Sequence, residues 1–195
     1  MLKLKSLKNI HFPEISSWSL NKQGGLVAKN IYLVGMMGTG KTETAKLLAK
    51  RLGSVFVDMD DLIEAREGMP ILKIFKLRGE PYFRKVEKEV LADLADKEGL
   101  VVACGGGAFV DPENIGMFKS SGTVVCLASS PETILERTSR FAHRPLINVE
   151  DPLGRIRELL SKRMPSYAQA HCTIDCDKLS VEETAEEVAK CLKLK

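Results

Sequence analysis

The chemistry most plainly written in the chain lies in Gly35-Met36-Met37-Gly38-Thr39-Gly40-Lys41-Thr42, which follows the pattern G-x-x-x-x-G-K-[ST]. The apolar run Ile31-Tyr32-Leu33-Val34 stands immediately before it and a helical pattern immediately after. That context suits a loop that wraps phosphate. Its glycines let successive backbone N–H groups aim at phosphate oxygens, and the following helix adds its positive N-terminal end. Gly38, Thr39 and Gly40 would line the cradle, Lys41 would bridge the β- and γ-phosphates, and the Thr42 hydroxyl would hold Mg²⁺. The segment therefore predicts ATP as phosphate donor with magnesium as cofactor. A turn without a ligand needs neither the lysine nor the hydroxyl at these offsets.

Other residues supply candidates for the acceptor side. Asp58 and Asp60 close the apolar run Val55-Phe56-Val57, and in an extended strand residues two apart share a face. One acid can orient metal-bound water while the other takes a hydrogen bond from an attacking hydroxyl. Capping of the helix through Leu62 and Ile63 is the competing use, and it suits Asp61 better than Asp60. In Arg78-Gly79-Glu80-Pro81-Tyr82-Phe83-Arg84 a helix can begin at Pro81, with Arg84 one turn inside it. Beside Glu87 and Lys88, Arg84 reads first as a solvated helix face; turned inward, it would clamp a carboxylate.

Cys104-Gly105-Gly106-Gly107-Ala108 follows Leu100-Val101-Val102-Ala103 directly. Three glycines remove side chains where something must approach the backbone closely, or where the chain makes a tight turn. No Asp ends that strand, so Asp58 is the leading candidate for the second magnesium contact. The irregular stretch from Ser139 to Asp151, with Arg140, His143, Arg144, Pro145 and Leu146, reads as a lid that brings an arginine to the phosphates or as a solvated loop. Arg163 lies near a helix end, four residues before Tyr167, where a positive charge also suits the helix dipole. His11 and His171 carry no partner pattern.

The elements that must position these groups alternate. β-rich runs at 31–34, 55–57, 100–103, 123–127 and 172–174 are interleaved with helical patterns at 41–52, about 81–94, 131–138, about 153–164 and 180–194. That order predicts an α/β protein with a parallel sheet covered on both faces, because the strands are apolar at nearly every position. Ser180-Val181-Glu182-Glu183 has the form of a capping box. At 195 residues, one well-buried domain is expected, running from 30 to 195 behind a leader at 1–29. The leader has one acid, several Lys and Ser, and a Gly24-Gly25 joint, but no signal-peptide core. It fits a loosely docked segment; an organelle transit peptide would normally carry Arg, and none is present.

Composition excludes several classes. A net charge of +3 with mixed acids and bases gives no nucleic-acid stripe. No apolar run reaches membrane-spanning length. The five cysteines read as buried thiols of a cytoplasmic protein, and nothing calls for an obligate oligomer, so a monomer is expected.

Taken jointly, the residues from Ile31 to Leu192 resemble shikimate kinase. The likeness rests on Gly35 to Thr42, Asp58-Met59-Asp60, Arg78-Gly79-Glu80 with Phe83-Arg84, Gly105-Gly106-Gly107, Arg144-Pro145-Leu146, and Arg163 with Tyr167. It implies a three-layer P-loop fold like that of nucleoside monophosphate kinases, with five parallel strands in the order 2-3-1-4-5 and a lid. It also implies transfer of the ATP γ-phosphate to the 3-hydroxyl of shikimate, a step toward chorismate and the aromatic amino acids. On that resemblance Asp60, Arg84, the Gly105 to Gly107 loop and Arg163 would hold shikimate, the two arginines on its carboxylate. Asp60 would be the catalytic base. Thr42 would bind Mg²⁺ directly and Asp58 through water, Arg144 would reach the phosphates from the lid, and Arg137 would lie by adenine. Gluconate kinase, another small-metabolite kinase of this fold, is the nearest alternative. A silent ATP-binding protein would be expected to lack Lys41, Asp60 or the lid arginine, and all are present.

Overall fold

The computed structural model describes residues 29–139 and 149–194. Residues 1–28 of the expected leader and residues 140–148 of the expected lid, Arg144 among them, lie outside the described residues. Five strands form one parallel sheet: β1 (Asn30–Val34), β2 (Val55–Asp58), β3 (Leu100–Ala103), β4 (Gly122–Ala128) and β5 (Cys172–Asp175). Their order is β2-β3-β1-β4-β5. β1 is the central strand, with Leu33 in register with Ala103 of β3 on one side and Val125 of β4 on the other.

Alternation along the strands builds two cores. Tyr32 and Val34 of β1, Val57 of β2, Val102 of β3 and Val124 of β4 face one way, onto α2 (Met59–Glu67), α3 (Ile71–Ala95) and α4 (Pro112–Ser121). Leu33, Val101, Ala103, Val125 and Leu127 face the other way, onto α1 (Lys41–Leu52) and α7 (Val181–Cys191). The result is three layers, as expected of strands buried on both faces. A smaller apolar cluster ties Met36 and Met37 to α5 (Pro131–Ser139) and α6 (Pro152–Tyr167). Among the described residues no helix is long and apolar enough to cross a membrane.

Local chemistry sets the helix ends. Ser180 and Glu183 form the reciprocal capping box at α7, with bonds of 3.1 and 2.8 Å. α3 is interrupted at Gly79, whose φ of 79° and ψ of 171° break the helix just before Pro81. A proline there loses no helical hydrogen bond, because its ring sits in the first turn of the second half.

Three expectations change. Asp58 and Asp60 do not share a strand face, because the strand ends at Asp58 and α2 begins at Met59; Asp58 rather than Asp60 or Asp61 caps α2, accepting from Asp60 N at 2.9 Å. α4 is an additional helix, with Asp111 capping it through the N–H groups of Glu113 and Asn114. The cysteines are not all thiols: Cys172 is bonded to Cys191, their Cα atoms 6.6 Å apart, because α7 returns alongside β5. Cys104, Cys126 and Cys176 are free and buried.

Candidate functional site

The carboxyl ends of β1, β2 and β3 meet at one edge of the sheet, where an open α/β sheet gathers its ligands. The loop after β1 turns through Gly38 (φ 79°) and Gly40 (φ 86°), conformations that side-chain-bearing residues rarely adopt. Thr39 Oγ1 and Lys41 Nζ each donate to Met36 O at 2.9 Å, so the lysine folds back over the loop it follows. Thr42 is in the first turn of α1, and its hydroxyl donates to Asp58 Oδ2 at 2.9 Å. The other Asp58 oxygen caps α2. One carboxylate thus joins the phosphate loop to the helix that carries Asp60.

Thr42 and Asp58 present hard oxygen ligands beside this loop. Magnesium is usually held by one or two protein oxygens together with phosphates and water rather than by an all-protein cage. Thr42 and Asp58 fit that pattern, and no group of three or more His, Cys, Asp or Glu suited to a metal occurs among the described residues.

The other half of the site is built around the glycine loop after β3, which is tied to β1 where Cys104 N donates to Leu33 O at 3.0 Å. Each glycine faces a different candidate residue. A Cβ at Gly105 would lie 2.9 Å from Asp60 Oδ1, one at Gly106 would lie 3.4 Å from Arg163 Nη1, and one at Gly107 would lie 2.5 Å from Arg84 Nη1. A side chain at Gly105 or Gly107 would push Asp60 or Arg84 aside, whereas at Gly106 a Cβ would only touch Arg163. Arg84, Glu87 and Gly107 also line a cleft of about 240 Å³ together with Val110 and Asn114.

Arg84 is turned inward, not out on a solvated face. It donates to Glu87 Oε2 at 2.8 Å and to Glu80 Oε1 at 2.9 Å through different nitrogens. Glu87 is only 1% exposed, and its Oε1 has no hydrogen-bond partner. Burial raises its carboxyl above the usual glutamate range, against the opposing pull of the Arg84 guanidinium. From the sequence, Glu87 looks like part of a charged helix face. Its i, i+3 spacing from Arg84 was the available signal.

Arg163 is 8% exposed, and its Nη1 donates to Gly106 O at 3.0 Å beside Met36 Sδ at 3.4 Å. Tyr167, four residues on along α6, donates to the same carbonyl at 2.6 Å. Arg137, on α5, donates through Nη2 to Cys176 O at 2.7 Å. His171 has a structural place, its Nδ1 accepting from Val124 N at 2.9 Å.

The P-loop sequence after β1 and a glycine loop lined by Asp60, Arg84 and Arg163 therefore sit side by side on neighbouring strands. A model of the shikimate kinase family matches residues 37–193. The chain belongs to the shikimate kinase family. The shikimate kinase of Thermodesulfovibrio yellowstonii is 46% identical over 83% of this chain and 94% of the relative. That of Thermus thermophilus is 45% identical over 82% of this chain and 88% of the relative. A solved shikimate kinase from Acinetobacter baumannii in complex with shikimate superposes with a TM-score of 0.82 at 40% identity, covering 85% of this chain and 93% of that one. A gluconokinase from Sinorhizobium meliloti is 17% identical with a TM-score of 0.55, a likeness of fold alone. The family has the P-loop kinase architecture found here, with its 2-3-1-4-5 sheet.

Proposed function

We propose that this shikimate kinase family member transfers the γ-phosphate of ATP to the 3-hydroxyl of shikimate, giving shikimate 3-phosphate and ADP on the route to chorismate and the aromatic amino acids. The observation that carries the reading is the convergence of Asp60, Arg84 and Arg163 on the three glycines beside the phosphate loop. Shikimate offers a carboxylate for the arginines and hydroxyls for the acid.

In this reading Arg84 and Arg163 bind the acceptor carboxylate by charge-assisted hydrogen bonds. They fix which hydroxyl faces the donor. Asp60 accepts the proton of the 3-hydroxyl as it attacks, and the Gly105 to Gly107 backbone packs against the ring. Gly38, Thr39 and Gly40 hold the phosphates through backbone N–H groups, and Lys41 moves from Met36 O onto the β- and γ-phosphates. Arg137 flanks the base, and Arg144 of the lid adds positive charge while closing out water, the competing acceptor. Thr42 directly and Asp58 through water would hold magnesium, which would supply positive charge to the phosphates. The unit is a cytoplasmic monomer without nucleic-acid or membrane partners, its kinase domain starting near residue 30. A transit function for residues 1–29 would instead place it in an organelle.

An ADP-release assay with shikimate, gluconate and a panel of sugars tests the reading. Turnover confined to shikimate and dependent on magnesium is expected. Turnover with gluconate but none with shikimate would sink it, and ATP binding without any turnover would leave a silent nucleotide-binding protein.

A further inference from the structure

Two donors meet at one acceptor in the glycine loop. Tyr167 Oη and Arg163 Nη1 both bond Gly106 O, at 2.6 and 3.0 Å. A carbonyl oxygen has two lone pairs, so both bonds can stand at once. The two side chains come from adjacent turns of α6, four residues apart, and so project from one face. The Tyr167 ring is 4% exposed and packed in the core beneath the sheet, which makes its hydroxyl the tip of a rigid arm. Burial pushes the phenol up to about 12, so it remains a donor across the working pH range.

Arg163 has less freedom than its length suggests. A Cβ at Gly106 would stand 3.4 Å from Arg163 Nη1 and 3.5 Å from both Gly35 O and Met37 N. The guanidinium also lies 3.4 Å from Met36 Sδ, so it is held between the Gly106 carbonyl and the phosphate loop. Movement of the Gly106 carbonyl would carry Arg163 with it. With Tyr167 as a second donor, the carbonyl is held from the core side, and only one guanidinium nitrogen is committed to it.

We propose that Tyr167 is a positioning residue for the acceptor: its hydroxyl pins the Gly106 carbonyl and thereby sets the angle at which Arg163 presents its remaining N–H groups to the substrate carboxylate. The inference rests on the assignment of Arg163 to that carboxylate. Tyr167 touches neither substrate.

Steady-state kinetics of Tyr167→Phe, Arg163→Lys and the double variant test it, with Ser166→Ala as a neighbour that loses a 3.4 Å bond to Val110 O. Tyr167→Phe keeps the ring and removes one hydrogen bond. Its KM for shikimate should rise roughly five- to tenfold, with KM for ATP and kcat within about twofold. Ser166→Ala should change neither KM. In the Arg163→Lys background the Tyr167 substitution should add little, because it acts through that arginine. An unchanged shikimate KM in Tyr167→Phe beside a raised one in Arg163→Lys overturns the positioning role and leaves the arginine assignment standing. No change in either variant overturns both. Equal rises in both KM values, or full additivity in the double variant, would reduce Tyr167 to general packing.

Discussion

Gly107 and Arg84 are packed so closely that a methyl group on Gly107 would fall 2.5 Å from one guanidinium nitrogen and 2.6 Å from another. Gly107→Ala must therefore displace Arg84 from its place between Glu80 and Glu87. The lost charge-assisted contact should raise KM for shikimate on the order of tenfold. KM for ATP should stay near the wild-type value, and circular dichroism should show an intact fold. An unchanged shikimate KM would mean that Arg84 does not touch the acceptor.

Asp60 and Lys41 should separate by kinetic signature. Asp60→Asn removes the proposed base but leaves the phosphate loop alone, so kcat should fall by a factor on the order of 100 or more, with ATP affinity changed far less. Lys41→Ala should lower kcat by a factor on the order of 100 and weaken ATP as well. Titration calorimetry with a non-hydrolysable ATP analogue measures the affinity half of each statement. Normal turnover in either variant contradicts the assigned role.

Glu87 predicts a pH dependence of stability. Its carboxyl is raised in the folded state by burial, so the folded protein holds that proton more tightly than the unfolded chain. The stabilising contribution is complete below the ordinary glutamate value and is lost as pH rises through the raised one. Glu87→Gln is neutral throughout and lacks this loss. The melting temperature of the variant minus that of the wild type should therefore grow as pH rises above the ordinary glutamate value. A difference that stays flat over that rise would place Glu87 in an environment that does not penalise its charge.

The Cys172–Cys191 bond closes a loop with a sequence separation of 19 residues. Alkylation without reductant should label three cysteines, Cys104, Cys126 and Cys176, after unfolding, and five after reduction. Opening the loop should cost about 3 kcal/mol, or roughly 10 °C in melting temperature for a domain of this size. Five labelled cysteines without reductant would show that the pair is not joined.

The strands and the phosphate loop were legible because each announces itself locally, by an apolar run or by a fixed spacing of Gly, Lys and Thr. The acceptor cradle was legible only in pieces. Arg84 reads as a solvated helix face and Arg163 as a charge suiting a helix end until the glycine loop is brought against them, and no local pattern encodes that meeting. Strand periodicity misplaced Asp60 by assuming that β2 continues, whereas Asp58 ends it by capping α2. The helix from Pro112 to Ser121 had a readable start in Asp111-Pro112-Glu113, but its apolar positions are few, with only Ile115 and Phe118 buried apolar residues. The burial of Glu87, the bond from Tyr167 and the cysteine pairing all depend on tertiary neighbours distant in the chain.

Asp58 serves two unrelated tasks with its two oxygens, one bonding Thr42 of the phosphate loop and one capping α2. In evolutionary terms it is a pleiotropic position. Asparagine would keep one acceptor for the cap but not the charge, glutamate would keep the charge but not the cap geometry, and alanine would lose both. With Asp58 assigned to magnesium as proposed, folding and catalysis would be exposed to the same mutation, and drift at this site toward greater stability would meet selection on turnover at once.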